Sequence, residues 1–351
     1  MIGHQLRGFA TLLVVMLSAN VMADDCQPTD GLTFLCGPVN GEDLVWIGQD
    51  QMIASGMANE EGTGRIYFID TQSHSYSEIY PGEAPANAFD EAAYPGCPGA
   101  PDPATFSTHG LALLPLGQDK YRLYATGHIG REAVEILELD NSGLRPSLTW
   151  IGCVEMPDGA SINSVAALSD GGFLTTRISG MTESGDIFAG EISGFLYEWH
   201  PGGVIERVFG TEMSGPNGIV VSKDEATVYV ASWGRKEIAK FARQPSSTAS
   251  LSLIETATLA FRPDNLRWTA EGSILVAGHR ISQQTDCGAP LCFDAWEVAE
   301  IDPESLEAKT LVTRAPSEGF AGATVAIRND AGIWLGTFHG NRLVFVPAIS
   351  N

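Results

Sequence analysis

The sequence predicts an all-β, six-bladed β-propeller with a metal site on its axis. Three observations lead there. Short apolar runs rich in β-formers recur along the whole chain, at 65–69, 121–125, 135–139, 172–176, 195–199, 227–231, 273–277 and 332–336. Turn residues separate them, as in Ser169-Asp170-Gly171-Gly172, Pro201-Gly202-Gly203 and Asn329-Asp330-Ala331-Gly332. Polar residues with oxygen or ring-nitrogen side chains stand just before or at the start of apolar runs, tens of residues apart: Glu42 and Asp43, His109, Asn163, Asn217, and Asp264 with Asn265.

Each repeat unit reads as a polar residue, an apolar strand, a turn, a second apolar strand and a polar stretch with a third strand. Units start near Asp43, His109, Asn163, Asn217, Asn265 and Thr324, with gaps of 66, 54, 54, 48 and 59 residues. Such spacing suits propeller blades of about 40–50 residues with loop insertions. The alternative architectures are a β-sandwich or two smaller β domains. The longest insertion, 81–107, is rich in Pro, Gly and Ala and is expected to be a surface loop near one face. The segment 32–35 is expected to supply an outer strand that closes the ring and removes its exposed edges.

The composition agrees. The 351 residues are 44% hydrophobic but only 18% charged, with 39 Gly and 19 Pro, which favours many short strands and tight turns over long surface helices. Residues 1–23 read as a secretory signal: Arg7, an apolar run over 9–19, and Val21-Met22-Ala23 as the cleavage site. The run is too short for a comfortable membrane span. Residues 24–351 are then one propeller domain, secreted or periplasmic, with no stable membrane insertion. Asp24 and Asp25 before Cys26 argue against a lipoprotein cysteine. The net charge of −23 and the lack of a basic stripe exclude nucleic acid as a partner.

Six cysteines in an exported chain point to disulfides. Cys287 and Cys292 are the favoured pair, across a short turn-rich loop. Cys26 with Cys36 and Cys97 with Cys153 are further pairings among the 15 that six cysteines allow. The absence of any CxxC pair removes the zinc-ribbon and thioredoxin-like readings. The sequence has no Gly-x-Ser-x-Gly nucleophile elbow and no phosphate-binding glycine loop.

Oxygen ligands spread so evenly cannot form a local loop site. They make sense if the chain returns to one axis and delivers one ligand per visit, and Asp, Glu and Asn oxygens suit Ca²⁺. Taken singly, each has a plainer reading: Glu42 and Asp264 as solvated loop carboxylates, Asn217-Gly218 and Asp264-Asn265 as turns.

The ordered set Gly41-Glu42-Asp43-Leu44, His109-Gly110-Leu111, Asn163, Gly215-Pro216-Asn217-Gly218-Ile219, Pro263-Asp264-Asn265-Leu266, Gly322-Ala323-Thr324-Val325 and Leu335-Gly336-Thr337-Phe338-His339 resembles the paraoxonase/arylesterase family over about residues 42–346. The broader relatives are the gluconolactonase and senescence-marker-protein (regucalcin) family. This resemblance implies a six-bladed propeller with Ca²⁺ in the central tunnel and hydrolysis of lactones and aryl esters. It implies Glu42, Asn163, Asn217, Asp264 and Asn265 as metal ligands and His109 with His128 as a catalytic pair. A second, structural calcium would fall to Asp43 and the Leu111 carbonyl, but Ser164 stands where the family has an aspartate.

With the metal polarising a lactone carbonyl, the attacking water needs a base. His109, relayed by His128, or a metal-bound carboxylate such as Asp264 or Glu42 can serve. His279, Phe338 and His339 are expected to line the substrate pocket. Pocket polarity separates the competing functions. Sugar-acid lactones of the gluconolactonase kind call for hydrogen-bonding walls, with Arg177 and Arg280 as candidates. Aryl and acyl lactones call for apolar walls, with Met57, Phe106, Met181, Phe320 and Phe338 as candidates. A non-catalytic ligand-binding propeller is the third reading.

Overall fold

The computed structural model describes residues 26–60, 62–178, 186–244, 250–282 and 291–348. Six sheets, antiparallel apart from one short strand added to the second, stand around one axis. Their first strands are Leu44–Trp46, Thr108–Gly117, Ile162–Ala167, Pro216–Val221, Arg262–Trp268 and Val325–Asn329, numbered here as blades one to six. These strands contact one another around the ring. The six expected unit starts all fall at them.

Each blade runs outward by hairpins, and the burial pattern explains why the sequence folds this way. Inner strands are packed on both faces and read as continuous apolar runs, as in Ile274–Ile281. The fourth strand meets solvent: Ser252–Thr258 of blade four is almost wholly exposed. The core therefore lies between blades, where side chains of neighbouring sheets interdigitate.

The ring closes through blade six. Thr33–Cys36 pairs antiparallel with Arg342–Pro347, Phe34 opposite Val344, so the N-terminal segment supplies the outermost strand of the last blade. A disulfide between Cys26 and Cys36 pins this closing strand, restricting the unfolded chain more than the folded one.

The insertion before blade two is more than a surface loop. Its Ala86–Asn87 adds a fifth strand to the blade, parallel to Ser147–Glu155. Its Tyr94 is buried and stacks on Trp199 of blade three. A second disulfide, Cys97 to Cys153, fastens it to Ser147–Glu155. Alternating polarity is the usual strand signal, and a two-residue strand is too short to show it. Cys292 is also disulfide-bonded; Cys287 lies outside the described residues. Among the described residues no cysteine is free, and no helix is long and apolar enough to cross a membrane.

Candidate active site

The first strands of blades two to five share an irregularity. In each, three residues advance against two on the partner strand: between Thr108 and Leu111, Ile162 and Val165, Pro216 and Ile219, and Pro263 and Leu266. Each is a β-bulge, and the residues inside it are His109-Gly110, Asn163-Ser164, Asn217-Gly218 and Asp264-Asn265. A bulge leaves a residue out of the ladder and re-aims its side chain. Here it turns polar side chains toward the axis at one level of the tunnel. Hydroxyls from the second strands take over the lost ladder bonds. Gly110 N–H donates to Thr126 Oγ1 (2.7 Å) and Ser164 N–H to Thr176 Oγ1 (2.9 Å). Asn217-Gly218 is thus not a turn. A Cβ on Gly218 would lie 2.4 Å from the Asp264 carbonyl oxygen, so glycine is needed for the neighbouring strand to approach.

Glu42 arrives from blade one, just before its first strand. Its Oε1 accepts from Asn265 Nδ2 (2.7 Å) and lies 3.4 Å from His109 Nε2. Asn163 Nδ2 is 3.4 Å from the same ring nitrogen. Asp264 lies beside Asn217 and, at 3.7 Å, His279 Nδ1. The structure therefore brings Glu42, His109, Asn163, Asn217, Asp264 and His279 to one cavity of about 180 Å³, with Asn265 beneath it.

The electrostatics are unusual. Among the described residues, five buried carboxylate and carboxamide oxygens of this cluster have no hydrogen-bond partner: Glu42 Oε2, Asn163 Oδ1, Asn217 Oδ1, Asp264 Oδ1 and Asn265 Oδ1. They come one from each of the five residues expected as ligands. An unsatisfied buried polar atom costs about 1–3 kcal/mol, so five together rival the roughly 5–15 kcal/mol net stability of a domain. Burial and the neighbouring Glu42 carboxylate push Asp264 well above the ordinary carboxylate range. Burial opposes protonation of His109, but Glu42, joined by Asp43 and Glu132, outweighs it and raises the ring's pKa. Burial alone lowers His279 to about 3. A cation bound among these oxygens would satisfy all five and offset the two carboxylates. Among the described residues no three His, Cys, Asp or Glu side chains gather as a metal cluster; three of the five oxygens here are carboxamides.

Behind the cavity the rings form a file. His109 Nδ1 lies 3.1 Å from His128 Nε2, and His128 Nδ1 lies 3.0 and 2.9 Å from the two oxygens of Glu132. Sequence reading missed Glu132, a charged residue in a loop with no motif around it.

The rest of the wall is apolar: Met57, Ile178, Ile187, Trp233, Leu291, Phe293 and Phe338. His279 stacks on Phe293 with ring centres 4.4 Å apart. His339 lies instead on an adjoining cleft that shares Leu291 and Phe293 with the cavity. Phe106 is buried against Tyr80, and Phe320 against Trp296, both off the cavity wall. Met181 lies outside the described residues. Arg177 sits over the Phe195 ring and Arg280 pairs with Glu297; neither lines the cavity.

Below the cavity lies Asp43, fully buried. Arg267 Nη2 bonds its Oδ2 and the Leu111 carbonyl (2.9 Å), while Arg267 Nε donates to the Leu44 carbonyl (2.9 Å). The two oxygens expected at a second calcium site thus hold a guanidinium. Burial raises Asp43 to about 6, with Arg267 opposing the rise and Glu42 adding to it.

Comparison with known proteins agrees with this architecture. The model of the SMP-30/Gluconolactonase/LRE-like region matches residues 54–290, more than half of the chain, and the chain belongs to that family. The match is to the broader of the two families its motifs resemble. No curated protein sequence matches significantly. Among solved structures, a luciferin-regenerating enzyme is 13% identical, covering 90% of this chain and 94% of its own, with a TM-score of 0.56. A gluconolactonase from Xanthomonas campestris is 18% identical, covering 90% and 89%, with a TM-score of 0.55. Regucalcin, a calcium-binding protein from Agrobacterium tumefaciens, is 12% identical, covering 89% and 92%, with a TM-score of 0.51. At these identities the likeness is one of fold.

Proposed function

We propose that this member of the SMP-30/gluconolactonase/LRE-like family is an exported, calcium-dependent hydrolase of lactones and aryl esters with apolar substituents. The observation that carries the reading is the set of five unpartnered buried oxygens beside a histidine pair, under an apolar wall.

Glu42, Asn163, Asn217, Asp264 and Asn265 would hold the ion. Two carboxylates and three carboxamides suit a hard cation with room left in its shell. Bound there, Ca²⁺ supplies a Lewis acid that polarises the substrate carbonyl and stabilises the oxyanion. His109 Nε2 faces the cavity and takes a proton from the attacking water as its oxygen bonds to the carbonyl carbon, then returns it to the leaving alkoxide or phenoxide as the ester C–O bond breaks. His128, hydrogen-bonded behind it, relays the charge toward Glu132. Met57, Trp233, Phe293 and Phe338 bury the substrate's apolar part and exclude water from the carbonyl.

The wall favours this substrate class over sugar lactones. A sugar ring needs several side-chain donors and acceptors, and both arginines that could supply them are engaged elsewhere. Export is supported by the leader-like residues 1–23 and by the disulfides.

Residues 24–351 should hydrolyse acyl or aryl lactones and aryl esters faster than gluconolactone, and should lose that activity on chelation and regain it with calcium. No turnover of any ester by metal-loaded protein would overturn the reading and favour a non-catalytic propeller.

A further inference from the structure

We infer that Glu132 is a positioning residue: it fixes the direction of a hydrogen-bond chain through His128, His109 and Asn163, and thereby leaves His109 Nε2 as an acceptor facing the cavity. The inference rests on the proposed hydrolytic role of His109, but its first consequence is readable without any substrate.

A carboxylate accepts hydrogen bonds and does not donate them. Both oxygens of Glu132 lie within 3.0 Å of His128 Nδ1, so that nitrogen carries the proton. A neutral ring has one donor and one acceptor nitrogen, which makes His128 Nε2 the acceptor. It lies 3.1 Å from His109 Nδ1, which must then donate. His109 Nε2 is left with its lone pair toward the cavity, where Asn163 Nδ2 can donate to it at 3.4 Å; Glu42 Oε1 lies equally far from that nitrogen but already accepts a much shorter bond, 2.7 Å, from Asn265 Nδ2. With its amide nitrogen turned that way, Asn163 presents Oδ1 to the axis, and that oxygen is one of the five without a partner. The reversed chain would set two carboxylate oxygens against a ring lone pair. It would also turn an N–H, rather than an oxygen, toward the other unpartnered oxygens.

The backbone is built for this contact. Between His128 and Glu132, Ile129 has φ of +72°, and Gly130 N–H donates to the His128 carbonyl at 3.0 Å. These features define a γ-turn of the rare, strained kind, at a β-branched residue that ordinarily avoids positive φ. Local strain of this sort persists where surrounding structure over-determines it. The turn folds the chain back, so that a side chain four residues on meets the ring. Glu132 is further held by Ile162 N–H, which donates to its Oε2 at 3.3 Å. This bond ties it to the strand that carries Asn163.

The test uses the full mature chain labelled with ¹⁵N-histidine. Long-range ¹H–¹⁵N correlation spectra report which ring nitrogen carries the proton, and His128→Gln assigns the signals. The expected result is protonation at Nδ1 of both His109 and His128 in the native chain. In Glu132→Leu that preference should be lost, with kcat falling about 10²-fold or more, as expected when a ring loses the group that sets its tautomer, and with KM little changed. Glu132→Gln keeps the shape, but its amide can donate as well as accept, so it should also relax the Nδ1–H preference at His128 and lower kcat; it serves if the leucine variant does not fold. A native His128 protonated at Nε2, or tautomers and kcat unchanged in Glu132→Leu, would overturn the inference. A native chain with the expected tautomers but no esterase activity would leave Glu132 in place and instead count against the proposed function.

Discussion

Two polar clusters sit one above the other in the same tunnel and differ in how their oxygens are satisfied. The upper one, Glu42 with Asn163, Asn217, Asp264 and Asn265, has five buried oxygens without a partner. The lower one, Asp43 with the Leu44 and Leu111 carbonyls, is closed by the guanidinium of Arg267. Both gather negative charge on the axis of a propeller, where burial makes an unpaired carboxylate expensive. The lower cluster carries its own cation in the sequence. The upper cluster lacks one and also adjoins the cavity, His109 and the apolar wall. An ion supplied from solution can hold a substrate oxygen in its remaining shell; an arginine with its donors committed to fixed acceptors cannot. Under the proposed function the upper cluster is chemical and the lower structural.

The largest effect should come from the upper cluster. Asp264→Ala removes one of its two charges and should abolish lactone hydrolysis and weaken calcium binding, measured by activity and by calorimetry. Next, His109→Gln should leave the ion bound while slowing turnover by roughly 10²–10⁴-fold. Near-full activity in that variant would make Glu42 or Asp264 the base.

The lower cluster should answer differently. Arg267→Met strands a buried carboxylate, and breaking such a pair costs about 3–5 kcal/mol. Urea denaturation should show that loss, with calcium stoichiometry at the upper site unchanged. Arg267→Lys should not restore stability, since a lysine cannot reach acceptors arranged for a planar fork. Chelation of the native chain should also lower the melting temperature, by mass action and in proportion to the calcium removed.

The smallest effect belongs to a polar cluster outside the tunnel. His200 lies 2.5 Å from Asp170 and 3.0 Å from Glu198. Burial opposes its protonation, but the hydrogen bond to Asp170 and that to Glu198 raise its pKa. A histidine raised in the folded state contributes stability that is full below its ordinary value of about 6.5 and is lost as pH rises through the folded value. His200→Asn should flatten that decline in a series of melts across neutral pH. An unchanged slope would assign the decline to another group.

Much of the fold was legible because a propeller repeats itself. One polar residue and one apolar strand per visit left a mark at Asp43, His109, Asn163, Asn217, Asn265 and Thr324, and these are the six blade starts. The closing strand was legible too, as an apolar run, 32–35, placed before the first unit. What the sequence hid was local. A bulge differs from a turn by one residue of register, and Asn217-Gly218 and Asp264-Asn265 suit both. The role of Glu132 depends on a strained turn at Ile129 that no propensity predicts. Much of the cavity wall, including Trp233, Leu291 and Phe293, comes from strand ends and loops, where apolar residues follow no period. Arg267 carries no local signal in the sequence, because its partners Asp43 and Leu111 are 224 and 156 positions away.

The distinction between the two clusters reduces to a count of ions. Chelator-stripped protein titrated with calcium in a calorimeter should bind one ion per chain, with Arg267→Met also binding one at the upper site and Asp264→Ala losing it. No bound ion in the native chain would contradict the metal reading of the upper cluster, and two would contradict the assignment of Arg267 as the resident cation of the lower one.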